Sequence, residues 1–185
     1  TGTGSSFNCA FGASALTANN ASNNVAVGAF ALNANALGTN NVAVGRSALL
    51  ASTGSNIVAI GSGALQSATN LGACTAVGFN ALQLMVTGTN STAVGSSALA
   101  VNTAGSNTCV GANSGTSNTT GASNSALGAN SLAASTTGGN NSAFGANAML
   151  ATTVGTFNCA FGVGALQSNV GSGLNSAFGA QALQT

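Results

Sequence analysis

The stretch NNVAVGAFAL, residues 23–32, returns as NNVAVGRSAL at 40–49, and the hexapeptide FNCAFG at 7–12 returns unchanged at 157–162. Both pairs are spellings of one unit, built around a glycine preceded by a small residue and a large apolar one. The anchor glycines are Gly12, Gly28, Gly45, Gly61, Gly78, Gly95, Gly111, Gly128, Gly145, Gly162 and Gly179, so eleven units recur at spacings of 16 or 17 residues. A fixed short period is the mark of a repeat architecture and takes precedence over any local reading.

Aligned on that glycine, the preceding residue is always large and apolar, from Phe11, Val27 and Val44 through to Phe161 and Phe178. Its constancy predicts that it faces a core. Two before the glycine stands Ala in ten units and Cys109 in the other, and four before it Asn stands in eight. The third residue after the glycine is Ala or Ser, and the fourth is Leu in nine units, Met149 in one and Gly115 in one. Polar spacers such as NANALGTN, ASTGSN and AASTTGGN carry turn chemistry. Each unit therefore reads as strand, turn, strand, turn.

Helices are disfavoured, because each of the 27 glycines costs on the order of 1 kcal/mol in a helix interior and the NxAVG cluster alternates with period two. A hairpin barrel lacks its signals: Asn-Gly and Asp-Gly never occur, and neither Trp nor Tyr is present for an aromatic girdle. Units too small to bury their own faces stack on one another. The expected fold is an all-β parallel β-solenoid or β-roll of about eleven 16–17-residue coils, one array over 1–185, roughly 50 Å long at one strand spacing per coil. The Asn column then forms a hydrogen-bonded ladder, and the Val/Phe and Leu columns fill the coil interior. By strand parity the residue before the glycine and the Ala lie on opposite faces. One face is bulky and one nearly bare, and the bare one predicts close approach by other copies of the chain around a common axis.

Composition narrows function sharply. Arg46 is the only charged residue, and His, Tyr, Trp and Pro are absent, which removes most groups used in acid-base, phosphate and hard-metal chemistry. The chain reads as a non-enzyme without cofactor or metal, and as no partner for nucleic acid, which demands clustered cations. With 45% hydrophobic residues and a net charge near zero it is built to pack and to associate. Folding stability should be flat between about pH 4 and 8. No targeting segment or membrane span is read, and the missing initiator Met points to a portion of something longer.

The unit, Asn followed by Ala-Val-Gly or Ala-Phe-Gly and then Ala-Leu, resembles the head repeat of trimeric autotransporter adhesins and related repeats of phage and large-virus fibre proteins. The resemblance runs through all eleven units, as in NSAFGANAM at 141–149. It implies a left-handed parallel β-roll in which three chains wind about one axis, displayed on a cell or virion to contact a surface. The units are longer than the typical adhesin head repeat and closer to the spacer-rich form of phage and virus fibres. Neck, coiled-coil stalk and membrane anchor are not read in these residues, so both settings stay open. The expected function is a structural fibre or adhesin shaft, extracellular and homotrimeric, with a host receptor or glycan as further partner. A self-polymerising extracellular filament subunit is one alternative; an ice-binding solenoid is another, but it calls for a Thr-x-Thr column and the threonines read as scattered.

Few residues break the repetition. Phe30, Arg46 and Phe79 follow anchor glycines where other units carry Ala or Ser, and ANSGTSNTTG at 112–121 loses the Leu; these are the candidate surface contacts. The cysteines read as buried free thiols, since Cys9 and Cys159 would lie about 43 Å apart and Cys74 and Cys109 about 9.5 Å, beyond the roughly 7 Å reach of a bridge. Sequons stand at Asn20, Asn90, Asn118 and Asn140, and G-x-G at 2–4, 61–63 and 171–173 lacks the helix a nucleotide site needs.

Overall fold

The computed structural model describes residues 6–69 and 71–184, which leaves the G-x-G at 2–4 outside the described residues. Eleven three-residue strands follow one another: β1 Cys9–Phe11, β2 Val25–Val27, β3 Val42–Val44, β4 Val58–Ile60, β5 Thr75–Val77, β6 Thr92–Val94, β7 Thr108–Val110, β8 Ser125–Leu127, β9 Ser142–Phe144, β10 Cys159–Phe161 and β11 Ser176–Phe178. They pair in parallel and in sequence order. Register is strict, with Ala26 opposite Ala10 and Ala43, and Phe161 opposite Phe144 and Phe178. Successive parallel neighbours joined without a helix require each connection to circle back beneath the sheet. The all-β solenoid read from the sequence is the fold, with about ten turns between the first strand and the last.

Every strand stops at its anchor glycine for two reasons. The glycine φ values, +119° to +139°, belong to a region that L side chains rarely adopt. At every anchor glycine but Gly179 the next coil also occupies the place of a Cβ: at Gly28 such an atom would lie 2.7 Å from the carbonyl carbon of Gly45. Beyond the glycine the chain curls instead of forming the expected second strand. Residues two and four past the glycine sit in the left-handed region in every described coil, including Leu32 at 47°, Leu49 at 49° and Leu99 at 51°. The far wall is thus a run of turns, and among the described residues only Ser55, Gly72 and Thr89 form isolated parallel bridges there.

A leucine in that conformation costs roughly 1–2 kcal/mol. Its burial contributes roughly 1.5–3 kcal/mol, and its amide adds an intercoil hydrogen bond, as from Leu32 N–H to Ala48 O at 3.0 Å. The balance favours the curl. Leu32, Leu49, Leu65, Leu82 and Leu99 are fully buried and meet the strand alanines, Ala26, Ala43, Ala59, Ala76 and Ala93, in one continuous core.

That core reverses the expected assignment of faces. The bare alanine face points into the chain's own coil, where the leucines from the opposite wall leave room for little more than a methyl. The Val/Ile/Phe column before the glycine points outward. The backbone that approaches the alanines is the chain's own.

The Asn column is the second part of the interior. Asn141 shows the pattern: its Nδ2 donates to Gly155 O at 2.8 Å, and its Oδ1 accepts the backbone N–H of Asn158 at 3.0 Å. Asn24, Asn124 and Asn158 repeat it. Each carboxamide therefore ties its coil to the backbone of the next, so the ladder expected from the sequence exists, running from side chain to main chain. In the middle of the array Ile57, Cys74, Ala68 and Met85 stand in columns that are mostly polar and Leu71 in a column that is mostly glycine; all five are buried, an apolar plug in place of the ladder.

The coil that loses its leucine is compensated from within. A Cβ on Gly115 would lie 2.9 Å from Cys109 Sγ and 3.0 Å from Leu99 Cδ2, so the thiol that replaces the usual alanine fills the volume of the missing side chain. Gly115 has the φ of +59° that leucine adopts at equivalent positions. Gly115→Leu alone should therefore overpack the coil by about 1–3 kcal/mol, whereas Cys109→Ala with Gly115→Leu should recover most of that loss. A double-mutant cycle on thermal unfolding reads the coupling, and additive effects would contradict this pairing.

Candidate functional site

Strand parity sends residues one and three before each glycine to the outer face of the sheet. The column next to the glycine runs Phe11, Val27, Val44, Ile60, Val77, Val94, Val110, Leu127, Phe144, Phe161 and Phe178. Away from the array ends these residues are part-exposed, Ile60 at 39%, Leu127 at 49% and Phe161 at 40%. Phe144, Phe161 and Phe178 stack face to face, with ring centroids 4.5 and 5.4 Å apart. The companion column carries Cys9, three valines, three threonines, two serines, Cys159 and Ser176. The whole outer face holds no charge.

All eleven anchor glycines lie at the corner beside this face and serve the coil stacking described above. The three candidate contact residues lie just past that corner. Phe30 is 43% exposed, Phe79 57%, and Arg46 is exposed as well. Backbone bonds fix their registers: Ser47 N–H donates to Ala29 O at 2.9 Å, Gly63 N–H to Arg46 O at 3.0 Å and Asn80 N–H to Ser62 O at 3.0 Å. Arg46 and Phe79 therefore share one column two coils apart, and Phe30 stands one coil before Arg46 in the neighbouring column. The fourth candidate, residues 112–121, belongs to the interior compensation around Cys109.

The thiols divide by parity. Cys74 and Cys109 are buried, as expected, but Cys9 is exposed and Cys159 half-buried, because the position three before the glycine faces outward. All four are free within the chain. Burial pushes the Cys109 thiol up to about 12 and raises that of Cys74. Both stay neutral through the physiological range, and since their folded pKa lies above the unfolded one, ionisation opposes folding only as pH rises beyond about 9. Of the sequons, Asn20, Asn90 and Asn140 are exposed. Asn118 is buried, with its carboxamide bonded to Gly121 N and O and to Asn102, and is closed to glycosylation.

Six of the threonines form a file: Thr53, Thr69, Thr103, Thr119, Thr136 and Thr153 line up eight residues past their glycines, and each hydroxyl donates to a backbone carbonyl of the next coil, from 2.6 Å at Thr53 to 3.2 Å at Thr136. The file is interrupted by Asn20, Ala36, Val86 and Val170 at the same offset, and the other threonines lie off it. The residues two before each threonine, Ala51, Ser67, Val101, Ser117, Ala134 and Ala151, form no second threonine file. The hydroxyls lace coils together, and the Thr-x-Thr pattern of an ice-binding face is absent along this file.

A small concavity lined by Leu166, Asn169, Ser172, Asn175 and Leu183 is the uncovered end of the coil interior. Among the described residues no three His, Cys, Asp or Glu side chains converge, and no helix is long and apolar enough to cross a membrane. Comparison with known proteins brings no match: no family model, curated protein or solved structure matches the chain.

Proposed function

We propose that this chain is the shaft of an extracellular fibre or adhesin of the trimeric autotransporter head type, carried on a virion or cell surface, in which three copies bury their outer sheet faces around a common axis. The observation that carries the reading is the unbroken file of large apolar side chains on the outside of a solenoid that has no need of them for its own core. Eleven strands about 4.8 Å apart, with two outward residues about 6.6 Å apart on each, make an uncharged strip of roughly 300 Å² before side-chain bulk is counted, apolar throughout along the file beside the glycines and carrying threonine or serine at six of the eleven companion positions. Self-association is the fitting partner, because the strip repeats with the coil and can match only a surface of the same period. The seam is thus assigned to the bulky face, not to the bare face that the sequence suggested. With one charged side chain in the sequence, the role is mechanical and adhesive rather than catalytic.

The test is the mass of the particle in solution, with and without reductant, for wild type and for Val77→Asp combined with Val94→Asp. Both valines are on the outer face, so the variant should keep its β-sheet circular dichroism. Burying carboxylates in a seam costs several kcal/mol per ion. The expected result is a reductant-insensitive trimer for wild type and a folded monomer for the variant. A monomeric wild type would refute the seam, and open-ended polymers would make the chain a filament subunit.

A further inference from the structure

We propose that Arg46 and Phe79 are the two walls of a site for a carboxylated sugar, one that names the ligand class of the adhesive surface proposed above and rests on that reading. Arg46 is the only cationic side chain in a sequence with no Asp or Glu, so no side chain of these 185 residues offers it a carboxylate. It is exposed at a position where the other coils carry Ala or Ser, apart from Phe79 and Val163. A permanent guanidinium that no partner neutralises is a fork prepared for an external carboxylate, which it binds in bidentate fashion.

The intervening coil makes the site concave. Between Arg46 and Phe79 the same column carries Ser62, followed by Gly63, and the register bonds described above place one coil step on each side. The walls therefore stand two strand spacings apart, about 9.5 Å. A Cβ on Gly63 would collide with Asn80 Oδ1, which places that carboxamide over the bare backbone as part of the floor. The notch thus combines a cation, an exposed aromatic ring, a hydroxyl and a carboxamide. One pyranose ring fits such a gap with its apolar face on Phe79 at about 3.5–4.0 Å, its carboxylate toward Arg46 and its hydroxyls toward Ser62 and Asn80. An acidic peptide would satisfy Arg46 but would leave the flat ring and the small polar floor without a matching partner. Phe30, one coil before Arg46, extends the aromatic surface to an adjoining sugar.

Saturation-transfer NMR on the assembled protein tests this with three probes: a sialic-acid-terminated trisaccharide, a glucuronate-containing disaccharide and neutral lactose. The expected result is signal transfer to at least one acidic sugar and none to lactose, with at least tenfold weaker binding in Arg46→Gln and in Phe79→Ala. Binding confined to one acidic probe would identify which carboxylated sugar the notch takes. Equal transfer to lactose, or unchanged binding in both variants, would overturn the proposal. Both substituted side chains are exposed, so circular dichroism and particle mass should match wild type. Those two readouts also separate the two readings. A trimer that binds no acidic sugar refutes the notch alone, and a monomer that binds one through Arg46 refutes the seam alone.

Discussion

Gly128→Ala should cost at least 3 kcal/mol and split the array at β8. Its φ of +139° lies outside the range of L residues, and the new methyl carbon would sit 2.5 Å from both the carbonyl carbon and oxygen of Gly145 and 2.8 Å from Ala146 N. Backbone strain of this kind costs about 1–3 kcal/mol, and the collision adds to it because the obstructing atoms are main chain and belong to a stack of like coils. Gly179→Ala isolates the first term: its φ is +119° but no atom lies within 4 Å of the new Cβ. Thermal unfolding followed by circular dichroism should show Gly128→Ala far below wild type and Gly179→Ala only modestly so. Equal effects at the two sites would mean that coil stacking does not set the glycine requirement.

The second large effect is expected at Asn141. Replacing it by alanine removes the acceptor of Asn158 N–H and the donor to Gly155 O at once, and Asn141 is fully buried, so water cannot take over either bond. Two orphaned backbone groups at roughly 1–3 kcal/mol each, with the small cavity added, give a loss of about 3–6 kcal/mol. Asn175→Ala should be much milder, since that carboxamide is part-buried and donates only to Asn158 Oδ1. Hydrogen exchange at the Asn158 amide is the direct readout. Retained protection there in Asn141→Ala would show that the ladder is ornamental. The contrast with Ile57, which occupies the same column, has a packing basis: Ala68, Leu71 and Met85 surround that sector with apolar side chains, and Asn141 has no such neighbours to replace its hydrogen bonds.

These two positions show how much a periodic sequence discloses. The invariant glycine, the asparagine four before it and the leucine four after it defined the coil and its register without coordinates, because in a stacked solenoid any requirement of one coil is repeated by the next. For the same reason Phe30, Arg46 and Phe79 stood out as departures, since a residue that breaks a column is not explained by stacking. Their mutual arrangement was not legible, because spacing along the chain does not say that Arg46 and Phe79 flank a coil of small residues. The compensation of Gly115 by Cys109 was equally hidden, although both were visible as exceptions, because it depends on where a sulfur points.

A parallel β-solenoid with Asn, Gly and Leu in aligned columns was already legible in the repeat, since period and parity follow from chain geometry alone. Parity separates two faces but gives no sign. Alanine lies inside and the Val/Phe file outside for a reason that appears on folding: the far wall curls its leucines across a coil of 16 or 17 residues and fills it, leaving space beneath the strand for a methyl group and sending the larger side chains to the surface.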